Sequence, residues 1–353
     1  MQPRTIYAGA SVIPNMGVKL KPILVAHEKT LDQLAGTYAV DAYNALYQFL
    51  TIIRGPDGTP LLNSRREITS HLSGLFYRTC ALLEKNINPI YVFDGEPSPL
   101  KAKTIAERVE KKMEAEELMR KAKEEGRLED AVRLSQRTAR LTKDMVKQSQ
   151  KLLDVMGLPW VQAPSEGEAQ AAGMAQKKLV DAVASQDFDA LLFGAPAFVR
   201  NLTFSGKRKL PRRNQYVTVH PEIYYLKENL DSLKLTHEQL AWAGILIGTD
   251  FNDGVTGIGP KKALKLVQEA KSFNDINAKL ENPIDFEPLE QLFLEPPYQN
   301  VSASDLKRKP PDIAGIKTFM VDENDFGAER IQSTLEKAFQ NADEKQSNLK
   351  KWF

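Results

Sequence analysis

Four acidic residues stand in two tight pairs between residues 164 and 194. They are Glu166 and Glu168 in P-S-E-G-E-A-Q, and Asp187 and Asp189 in S-Q-D-F-D. Crowded carboxylates repel each other, and bound Mg²⁺ or Mn²⁺ is a common compensation because these hard cations prefer oxygen ligands. The run Ser165-x-x-Glu168 also fits a capping box at a helix start, which accounts for one acid without a metal. These residues alone leave both explanations open.

Three further acids follow apolar segments. Asp41 comes after a strand-like run at 37–40, and a helical pattern begins directly behind it. Asp94 ends a strand predicted at 90–93, which a turn at Asn88-Pro89 precedes. Asp250 follows the glycine that ends an apolar helix within 240–253. The two acid pairs in turn follow predicted strands at 159–161 and 180–186.

Six of these acids are therefore expected at one edge of one sheet, because ligands of open α/β sheets bind outside the carboxyl ends of the strands, and Asp250 would be a seventh member of the cluster. Asp187 and Asp189, two apart in extended chain, should project the same way. Glu166 and Glu168 can both serve the site only from the irregular turn that enters a helix, and a Ser165 cap would hold them there. A divalent-metal centre is the prediction.

The composition describes a soluble globular chain without a disulfide framework. Of its 353 residues, 42% are hydrophobic and 27% charged, enough for one large domain or two ordinary ones. A net charge of +2 means that any affinity for nucleic acid must come from local basic patches. The single Cys80 lies in an apolar pattern, typical of a buried thiol in a reducing compartment. Without a membrane-length apolar run or a signal peptide, the chain is expected inside the cell.

Residues 101–151 are rich in helix formers and are interrupted at Gly126. Such a run is compatible with a solvated helix held by salt bridges. It is also compatible with a helical arch above the acidic edge, with Lys101 and Arg108 facing inward. Residues 201–219 predict a hairpin or loop with a basic cluster, suited to phosphate contact or simply a charged surface.

The run G-I-G-P-K-K at 257–262 precedes a predicted helix. Gly257 and Gly259 permit close approach of backbone amides to a phosphate, and Lys261 and Lys262 add positive charge. An ordinary turn between helices is the alternative. The last residues, Q-S-N-L-K-K-W-F, place two aromatics after a polar segment, so they are expected to dock on a partner or on the protein's own core.

Six collinear blocks resemble the flap endonucleases of the XPG-type 5′-nuclease superfamily. They are V-D-A-Y-N-A-L-Y-Q-F-L, T-S-H-L-S-G-L-F-Y-R-T, Y-V-F-D-G-E-P, A-P-S-E-G-E-A-Q-A-A, S-Q-D-F-D-A-L-L-F-G and G-T-D-F-N-D-G-V-T-G-I-G. The resemblance implies an α/β fold: a central, mostly parallel twisted sheet with helices on both faces, a helical arch and a helix–two-turn–helix. It divides the chain into an extension (1–15), one nuclease domain (16–342, with regions 16–115, 101–151, 152–270 and 271–342) and a flexible tail (343–353).

The resemblance implies cleavage of 5′ flaps at branched DNA junctions by two-metal hydrolysis, with 5′-3′ exonuclease activity, in Okazaki-fragment maturation and DNA repair. The metal would be Mg²⁺, with Mn²⁺ as a substitute. Its ligands would be Asp41, Asp94, Glu166, Glu168, Asp187, Asp189 and Asp250. Lys101 and Arg108 match a basic pair at the scissile phosphate. Tyr47 matches an aromatic near the reacting nucleotide, and Arg54 and Arg78 match residues near the junction. Gly257, Gly259, Lys261 and Lys262 match the helix–two-turn–helix that holds downstream duplex, often with K⁺.

The tail resembles a box that binds the sliding clamp PCNA, formed by Gln346, Leu349, Trp352 and Phe353. Because the chain stops at that box, it resembles archaeal members, which implies a cytoplasmic monomer. The family begins Met-Gly, which matches Met16 and Gly17, so Met16 is hypothesised as the physiological start. Alternatives are a relative acting mainly as a 5′ exonuclease, and a non-catalytic clamp-bound DNA scaffold. An RNA-cutting PIN-type nuclease would lack the helix–two-turn–helix and the clamp box.

Overall fold

A seven-stranded sheet forms the centre of the molecule in the computed structural model, which describes residues 17–55, 58–204, 206–209 and 216–340. The predictions for residues 1–16 and for Gln346, Leu349, Trp352 and Phe353 lie outside these ranges. The strands are β1 (His27–Glu28), β2 (Gly36–Asp41), β3 (Ile87–Phe93), β4 (Trp160–Gln162), β5 (Ala182–Ala184), β6 (Ala197–Arg200), β7 (Gly206–Lys209), β8 (Tyr216–Val219) and β9 (Glu222–Tyr225).

The strand order is β1-β9-β6-β5-β2-β3-β4. From β6 to β4 all neighbours are parallel, whereas β9 runs antiparallel to β6, and β1 antiparallel to β9. The prediction of a mostly parallel sheet is confirmed. Within the described residues, β7 and β8 pair antiparallel with each other, in agreement with the hairpin that was one of two interpretations of 201–219.

Side chains that alternate along the central strands pack into two hydrophobic cores, one on each face of the sheet. In β2, Ala39 enters one core while Tyr38 and Val40 enter the other, and in β3 Val92 and Tyr91 divide in the same way. Helices cover both faces, as expected. They are α1 (Ala42–Ile52), α2 (Ser70–Glu84), α3 (Ala102–Glu124), α4 (Leu128–Arg137), α5 (Lys143–Val155), α6 (Gly167–Gln176), α7 (Asp189–Leu192), α8 (Leu226–Leu233), α9 (His237–Ile247), α10 (Pro260–Glu269), α11 (Phe273–Asn277), α12 (Glu287–Leu294), α13 (Ile313–Lys317) and α14 (Ala328–Leu335).

The helical region at 101–151 is a pair of packed helices followed by α5. Ala122 of α3 and Ala131 and Leu134 of α4 form a small core between the pair. The break falls at Gly126, as predicted, where φ is +71° and a side chain would strain the backbone. The pair therefore stands as one hairpin of helices, with α3 rising directly from the segment that follows Asp94.

One predicted boundary in the sheet is wrong. The turn expected at Asn88-Pro89 is part of β3, and Pro89 lies opposite Tyr38 of β2. Proline is tolerated there because β4 pairs with β3 only from Tyr91 onward, so no partner strand on that side requires an N–H from residue 89. A local turn signal was outweighed by tertiary pairing.

Other expectations concern single features. Cys80 is buried, as predicted, and burial raises the pKa of its thiol to about 12, which makes it unreactive. The last predicted helix, at 326–342, begins two residues later, at Ala328, and continues as a wider turn over Glu336–Gln340. No helix among the described residues has both the length and the apolar character needed to cross a bilayer.

Candidate metal centre

Four adjacent strands deliver acids to one edge of the sheet. Asp41 is the last residue of β2 and Asp94 directly follows β3. Glu166 comes four residues after β4 ends, and Asp187 three residues after β5 ends. Because β5, β2, β3 and β4 are consecutive parallel strands, their carboxyl ends meet, and the predicted clustering of these acids is observed.

Asp41 also caps the helix that follows it. Its Oδ1 accepts the backbone N–H of Asn44 at 2.9 Å, so the carboxylate satisfies one free amide at the start of α1. Its Oδ2 accepts the hydroxyl of Ser185 at 3.2 Å, and the side-chain amide of Asn44 donates to Oδ2 of Asp187 at 3.3 Å. Asn44 and Ser185 thus connect two acids. Sequence reasoning missed both, although Asn44 stands three residues after Asp41, the spacing of a helix cap.

The helix that carries the glutamate pair begins differently from the prediction. Its N-cap is Glu166, so Ser165 does not cap it, and the capping-box interpretation is wrong. Glu168 lies in the first helical turn rather than in an irregular segment. The free amide of Gly167 donates to Oδ1 of Asp94 at 2.7 Å, so a carboxylate from the neighbouring strand serves the helix amino terminus.

The aspartate pair is also not extended. Asp187 lies in a bend, and Asp189 is the first residue of the short helix α7. Both nevertheless reach the cluster. Oδ1 of Asp189 accepts the amide of Val18 at 2.9 Å, and Oδ1 of Asp250 accepts the amide of Gly17 at 3.2 Å. The segment after residue 16 is therefore part of the site, which the acid spacing did not show.

Burial raises the pKa values of five of the acids, and repulsion from neighbouring carboxylates adds to this effect for four of them. Burial, with a contribution from Asp41, raises the pKa of Asp94 to about 7, and burial, with Asp250, raises that of Asp189 to about 7. The pKa values of Glu168 and Asp187 are raised well above their ordinary values by burial and then by neighbouring aspartates. Burial raises the pKa of Asp41 as well. A bound cation would favour the ionised forms.

Two cationic side chains from the start of the α3–α4 hairpin, the segment predicted as an arch, enter the cluster. The ammonium group of Lys101 contacts Oε2 of Glu166 and lies 4.9 Å from the ring centroid of Phe251. Arg108 donates through Nη2 to both carboxylate oxygens of Asp250 at 2.7 Å. The inward orientation predicted for both residues is confirmed. Burial lowers the pKa of Lys101, but Glu166 and Asp94 outweigh it and hold that pKa above its ordinary value.

The donor set fits a hard divalent cation. Carboxylate oxygens are the ligands that Mg²⁺ and Mn²⁺ prefer, and Oε1 of Glu168 is buried without a hydrogen-bond partner. Within the described ranges, no three acidic, histidine or cysteine side chains already adopt the geometry of a metal-binding group. The acids share one neighbourhood, with Lys101 and Arg108 among them, and the assignment of individual ligands stays a prediction.

Three residues predicted to contact DNA lie in or next to helices α1 and α2. Tyr47 of α1 is covered by the ammonium group of Lys112, 4.9 Å from the ring centroid. Arg54 is half-buried and donates through Nη1 to the carbonyl oxygen of Gly58 at 3.0 Å and to Oγ of Ser135 at 3.1 Å. Arg78 lies on the exposed side of α2. Arg54 is thus engaged with the arch helix α4, which its sequence position did not indicate.

The glycine-rich run at 257–262 has the predicted form. Gly257 has φ of +79°, and Gly259 is the N-cap of α10, with Pro260 at the first helical position. A Cβ at either glycine would meet no atom within 4 Å, so the turn is open on its outer side. Lys261 and Lys262 are exposed in the first turn of the helix. This open turn, with Lys261 and Lys262 beside it, leaves room for an anion.

Two regions of the chain match models of one nuclease class. Residues 16–115 match the XPG N-terminal domain, and residues 157–250 match the XPG I-region. These matches contain all seven acids, together with Lys101 and Arg108. The fold and site therefore define an XPG-type nuclease.

Full-length relatives identify the family within that class. The chain is 49% identical to flap endonuclease 1 of Staphylothermus marinus and 49% identical to that of Pyrococcus furiosus. Both alignments cover 96% of this chain, with 100% and 99% of the respective relative. The chain belongs to the flap endonucleases, metal-dependent hydrolases that cut phosphodiester bonds, and its function is that of a 5′-flap nuclease.

Solved structures agree with that assignment. The structure of flap endonuclease-1 from Methanococcus jannaschii is 41% identical, with a TM-score of 0.72, covering 93% of this chain and 100% of that one. The catalytic core of Rad2 in complex with DNA substrate is 25% identical, with a TM-score of 0.66, covering 91% and 98%. Human GEN1 in complex with Holliday junction DNA, at 21% identity and a TM-score of 0.67, shares the fold.

Proposed function

We propose that the seven clustered carboxylates hold two Mg²⁺ ions and that the chain uses them to cut 5′ flaps at branched DNA junctions. The observation that carries the proposal is the convergence of acids from four neighbouring strand ends, with two cationic side chains beside them. When bound, the ions supply an activated water and charge stabilisation for in-line displacement at phosphorus. The proposed ligands are Asp41, Asp94, Glu166, Glu168, Asp187, Asp189 and Asp250.

Lys101 and Arg108 are proposed to bind the scissile phosphate. Both rise from the arch and already contact carboxylates of the cluster, at Glu166 and Asp250. A phosphodiester that enters the centre brings anionic oxygens to these same cationic groups, which then offset the charge that develops during cleavage. Lys101 is well enclosed, so its interaction with phosphate would be screened little by solvent.

DNA outside the reacting phosphate is proposed to follow three surfaces. Tyr47 lies on α1, the helix that Asp41 caps, and is suited to stacking with the reacting nucleotide. Arg54 and Arg78 are proposed at the junction. Gly257, Gly259, Lys261 and Lys262 are proposed to hold the phosphates of the downstream duplex, with K⁺ as a further ligand of that turn. A 5′-3′ exonuclease activity at nicks would use the same centre.

The decisive assay is cleavage of a 5′-labelled double-flap DNA with Mg²⁺. The wild type should release the flap as one short product, and Asp187→Ala should reduce the rate by at least about 100-fold. The matched control is Asp231→Ala, the same change at an exposed aspartate of α8. Unchanged cleavage by Asp187→Ala, or no cleavage by the wild type, would overturn the proposal; binding without cleavage would indicate a DNA scaffold.

The tail is proposed to bind the sliding clamp. This rests on the sequence Gln346, Leu349, Trp352 and Phe353 and on its resemblance to the clamp box. Calorimetric titration of the full chain with the clamp should give binding that Phe353→Ala abolishes. The control Phe339→Ala tests whether loss of any phenylalanine near the carboxyl terminus is enough to abolish clamp binding. Equal affinity of the wild type and Phe353→Ala would refute the assignment.

A further inference from the structure

The helix that carries two of the proposed metal ligands packs on its surroundings through small side chains. Helix α6 begins directly after Glu166 and contains Glu168 in its first turn. Its buried residues are mostly glycine and alanine, and Met174 is the largest apolar side chain among them. Small side chains let a helix approach a sheet closely, but they form only low ridges that resist sliding and rotation weakly. Directional contacts are therefore important for the position of α6.

A fully buried glutamine supplies two such contacts near the start of α6. Nε2 of Gln170 donates to the carbonyl oxygen of Gln299 at 2.9 Å, and Oε1 of Gln170 accepts the backbone N–H of Gln299 at 2.8 Å. The side-chain amide thus pairs with the backbone of a single residue, as two residues pair across an antiparallel ladder. Two hydrogen bonds to one partner restrict both the distance and the rotation of the helix relative to that partner.

The segment at 298–300 contacts α6 at further points although it has no regular secondary structure. The ring of Tyr298 lies against Gly173, where an added Cβ would clash with Cδ2 of the ring. The ammonium group of Lys177 lies 3.8 Å from the centroid of the same ring and donates to Oδ1 of Asn300 at 2.8 Å. Lys177 caps the carboxyl end of α6, so the segment follows the helix from Gln170 to its last turn.

Gln170 is also directly linked to the glutamate that begins the helix. Its backbone N–H donates to the carbonyl oxygen of Glu166 at 3.1 Å, which closes the turn that contains Glu168. At 3.6 residues per turn, Gln170 lies about 40° from Glu166 around the helix axis. A hydrogen-bonded turn moves as a unit, so a displacement of Gln170 would displace both glutamates.

We infer that Gln170 is a positioning residue for metal binding. By pairing with Gln299 it holds α6 to the 298–300 segment and thereby sets where the carboxylates of Glu166 and Glu168 stand. Residues far along the chain from the acids would in this way contribute to the metal affinity. The inference rests on the proposed function, because it takes both glutamates as ligands. A glutamine that only stabilises the fold would leave the metal affinity unchanged.

The test variant is Gln170→Met, which approximately preserves side-chain volume and helix propensity but removes both hydrogen bonds. The apparent Kd for Mn²⁺ is measured by calorimetric titration, and it should rise about tenfold. In cleavage of double-flap DNA, kcat at limiting Mg²⁺ should fall about tenfold and should recover largely at high Mg²⁺. The Kd for flap DNA in EDTA should stay unchanged, because the substitution touches no proposed DNA contact.

The matched control is Asn229→Leu on α8, a helix that carries none of the seven acids. Asn229 is also fully buried and pairs with one backbone in the same way. Its Oδ1 accepts the N–H of Val25 at 2.7 Å, and its Nδ2 donates to the carbonyl oxygen of Val25 at 3.1 Å. Both variants should lower the urea midpoint, but Asn229→Leu should keep the wild-type Mn²⁺ affinity. Equal weakening of Mn²⁺ binding in both variants, or none in Gln170→Met, would overturn the inference.

A second variant tests the same contact from the other side and decides the question if Gln170→Met does not fold. Tyr298→Ala removes the ring that packs against Gly173 and leaves Gln170 intact. It should weaken Mn²⁺ binding about threefold, and it should add little to Gln170→Met in the double variant, since both act through one segment. Wild-type Mn²⁺ affinity in Tyr298→Ala, or effects that add in full, would contradict the positioning role.

The two proposals fail separately. Absence of Mn²⁺ binding or of flap cleavage in the wild type contradicts the proposed function itself. Normal Mn²⁺ binding and cleavage by the wild type, together with an unchanged Mn²⁺ affinity in Gln170→Met, contradicts only the role assigned to Gln170.

Discussion

Some residues of the acid cluster both stabilise the fold and belong to the proposed metal site. Asp41 ends β2, caps α1 and belongs to the acid cluster, and Asp94 serves the amino terminus of α6 from a neighbouring strand. Hydrogen bonds to backbone amides fix the orientation of both carboxylates before any ligand arrives. Substitutions of these residues will therefore change stability and activity together unless the capping function is preserved.

Gly167 should be essential although it has no side chain. A Cβ at this position would lie 2.6 Å from Oδ1 of Asp94 and 3.4 Å from the carbonyl oxygen of Val92. Gly167→Ala should displace the Asp94 carboxylate and reduce kcat on flap DNA by about 100-fold, since a shift of about 1 Å is enough for such a loss. The control Gly327→Ala adds a methyl group in open space, and it should retain full activity. Wild-type kcat in Gly167→Ala would contradict this account.

Asn44 should tune the affinity for metal through Asp187. Asn44→Ala removes the side-chain donor at 3.3 Å but leaves the backbone hydrogen bond to Asp41 in place. We expect about tenfold weaker binding of Mn²⁺ in calorimetric titration, and the same shift in the Mg²⁺ concentration needed for cleavage.

The control for that variant is Asn324→Ala. Asn324 is buried to the same degree as Asn44. It donates to the carbonyl oxygen of Phe319 rather than to one of the seven clustered acids. It should lower thermal stability without changing Mn²⁺ affinity. If both variants shift the metal affinity equally, Asn44 acts only through general stability.

Residue types and strand ends were sufficient to predict that acids following β2, β3, β4 and β5 cluster, because parallel strands bring their carboxyl ends together whatever the detailed geometry. The local geometry was not predictable in the same way. Ser165 fitted a capping box, yet Asp94 serves the same helix from 73 positions away in the chain. Contacts over such a distance in sequence depend on the register of the whole sheet.

At the scale of elements, α2 and α5 are joined by a buried histidine. His71 is fully buried, its Nε2 lies 2.9 Å from Oε1 of Gln148, and its Nδ1 has no partner. Burial lowers the pKa of His71 from 6.5 to about 4. Between these values the unfolded chain binds a proton that the fold does not, so stability is lost as pH falls from 6.5 toward 4.

The loss of stability caused by His71 can be measured by comparison with a variant that has no titratable group at this position. Between pH 7.5 and 5.0, His71 should cost the wild type about 2 kcal/mol of unfolding free energy. The free energy of unfolding of both proteins is measured in urea at pH 7.5 and at pH 5.0. On going to pH 5.0, the wild type should lose about 2 kcal/mol more than His71→Gln. Both proteins contain the same acid cluster, so its titration cancels. A parallel loss of stability would show that His71 is protonated inside the fold.

Helices with clear periodicity and ends were predictable, whereas elements defined by tertiary contacts were not. The break of the arch at Gly126 and the start of α10 after Gly259 follow from local backbone preferences. The entry of Pro89 into β3 depends on where β4 begins, and the short helix α7 depends on the packing of the segment that contains Asp187. Neither condition is encoded near the residues concerned.

For the whole molecule, the charge distribution matters more than the total. A net charge of +2 offers little general attraction for DNA, so affinity must depend on a few phosphate contacts. The double variant Lys261→Ala, Lys262→Ala should weaken binding of substrates with a long downstream duplex. The slope of log K against log salt should decrease in magnitude by about 2, whatever the base sequence.

The control for this variant is Lys227→Ala, Lys234→Ala, which removes the same charge from α8 and from the residue that caps its carboxyl end. It should leave the slope unchanged. A smaller slope in both double variants would mean that the protein's overall charge, rather than the start of α10, attracts the duplex.

The proposed ligands extend along the chain from Asp41 to Asp250, with the arch between them. A nascent chain that has not yet reached residue 250 lacks part of the centre, even if the earlier strands have already paired. Nuclease activity would then begin only after more than two thirds of the protein has been made. A break in the chain between any two of these acids divides the proposed ligands between two pieces, and neither piece alone contains the whole centre.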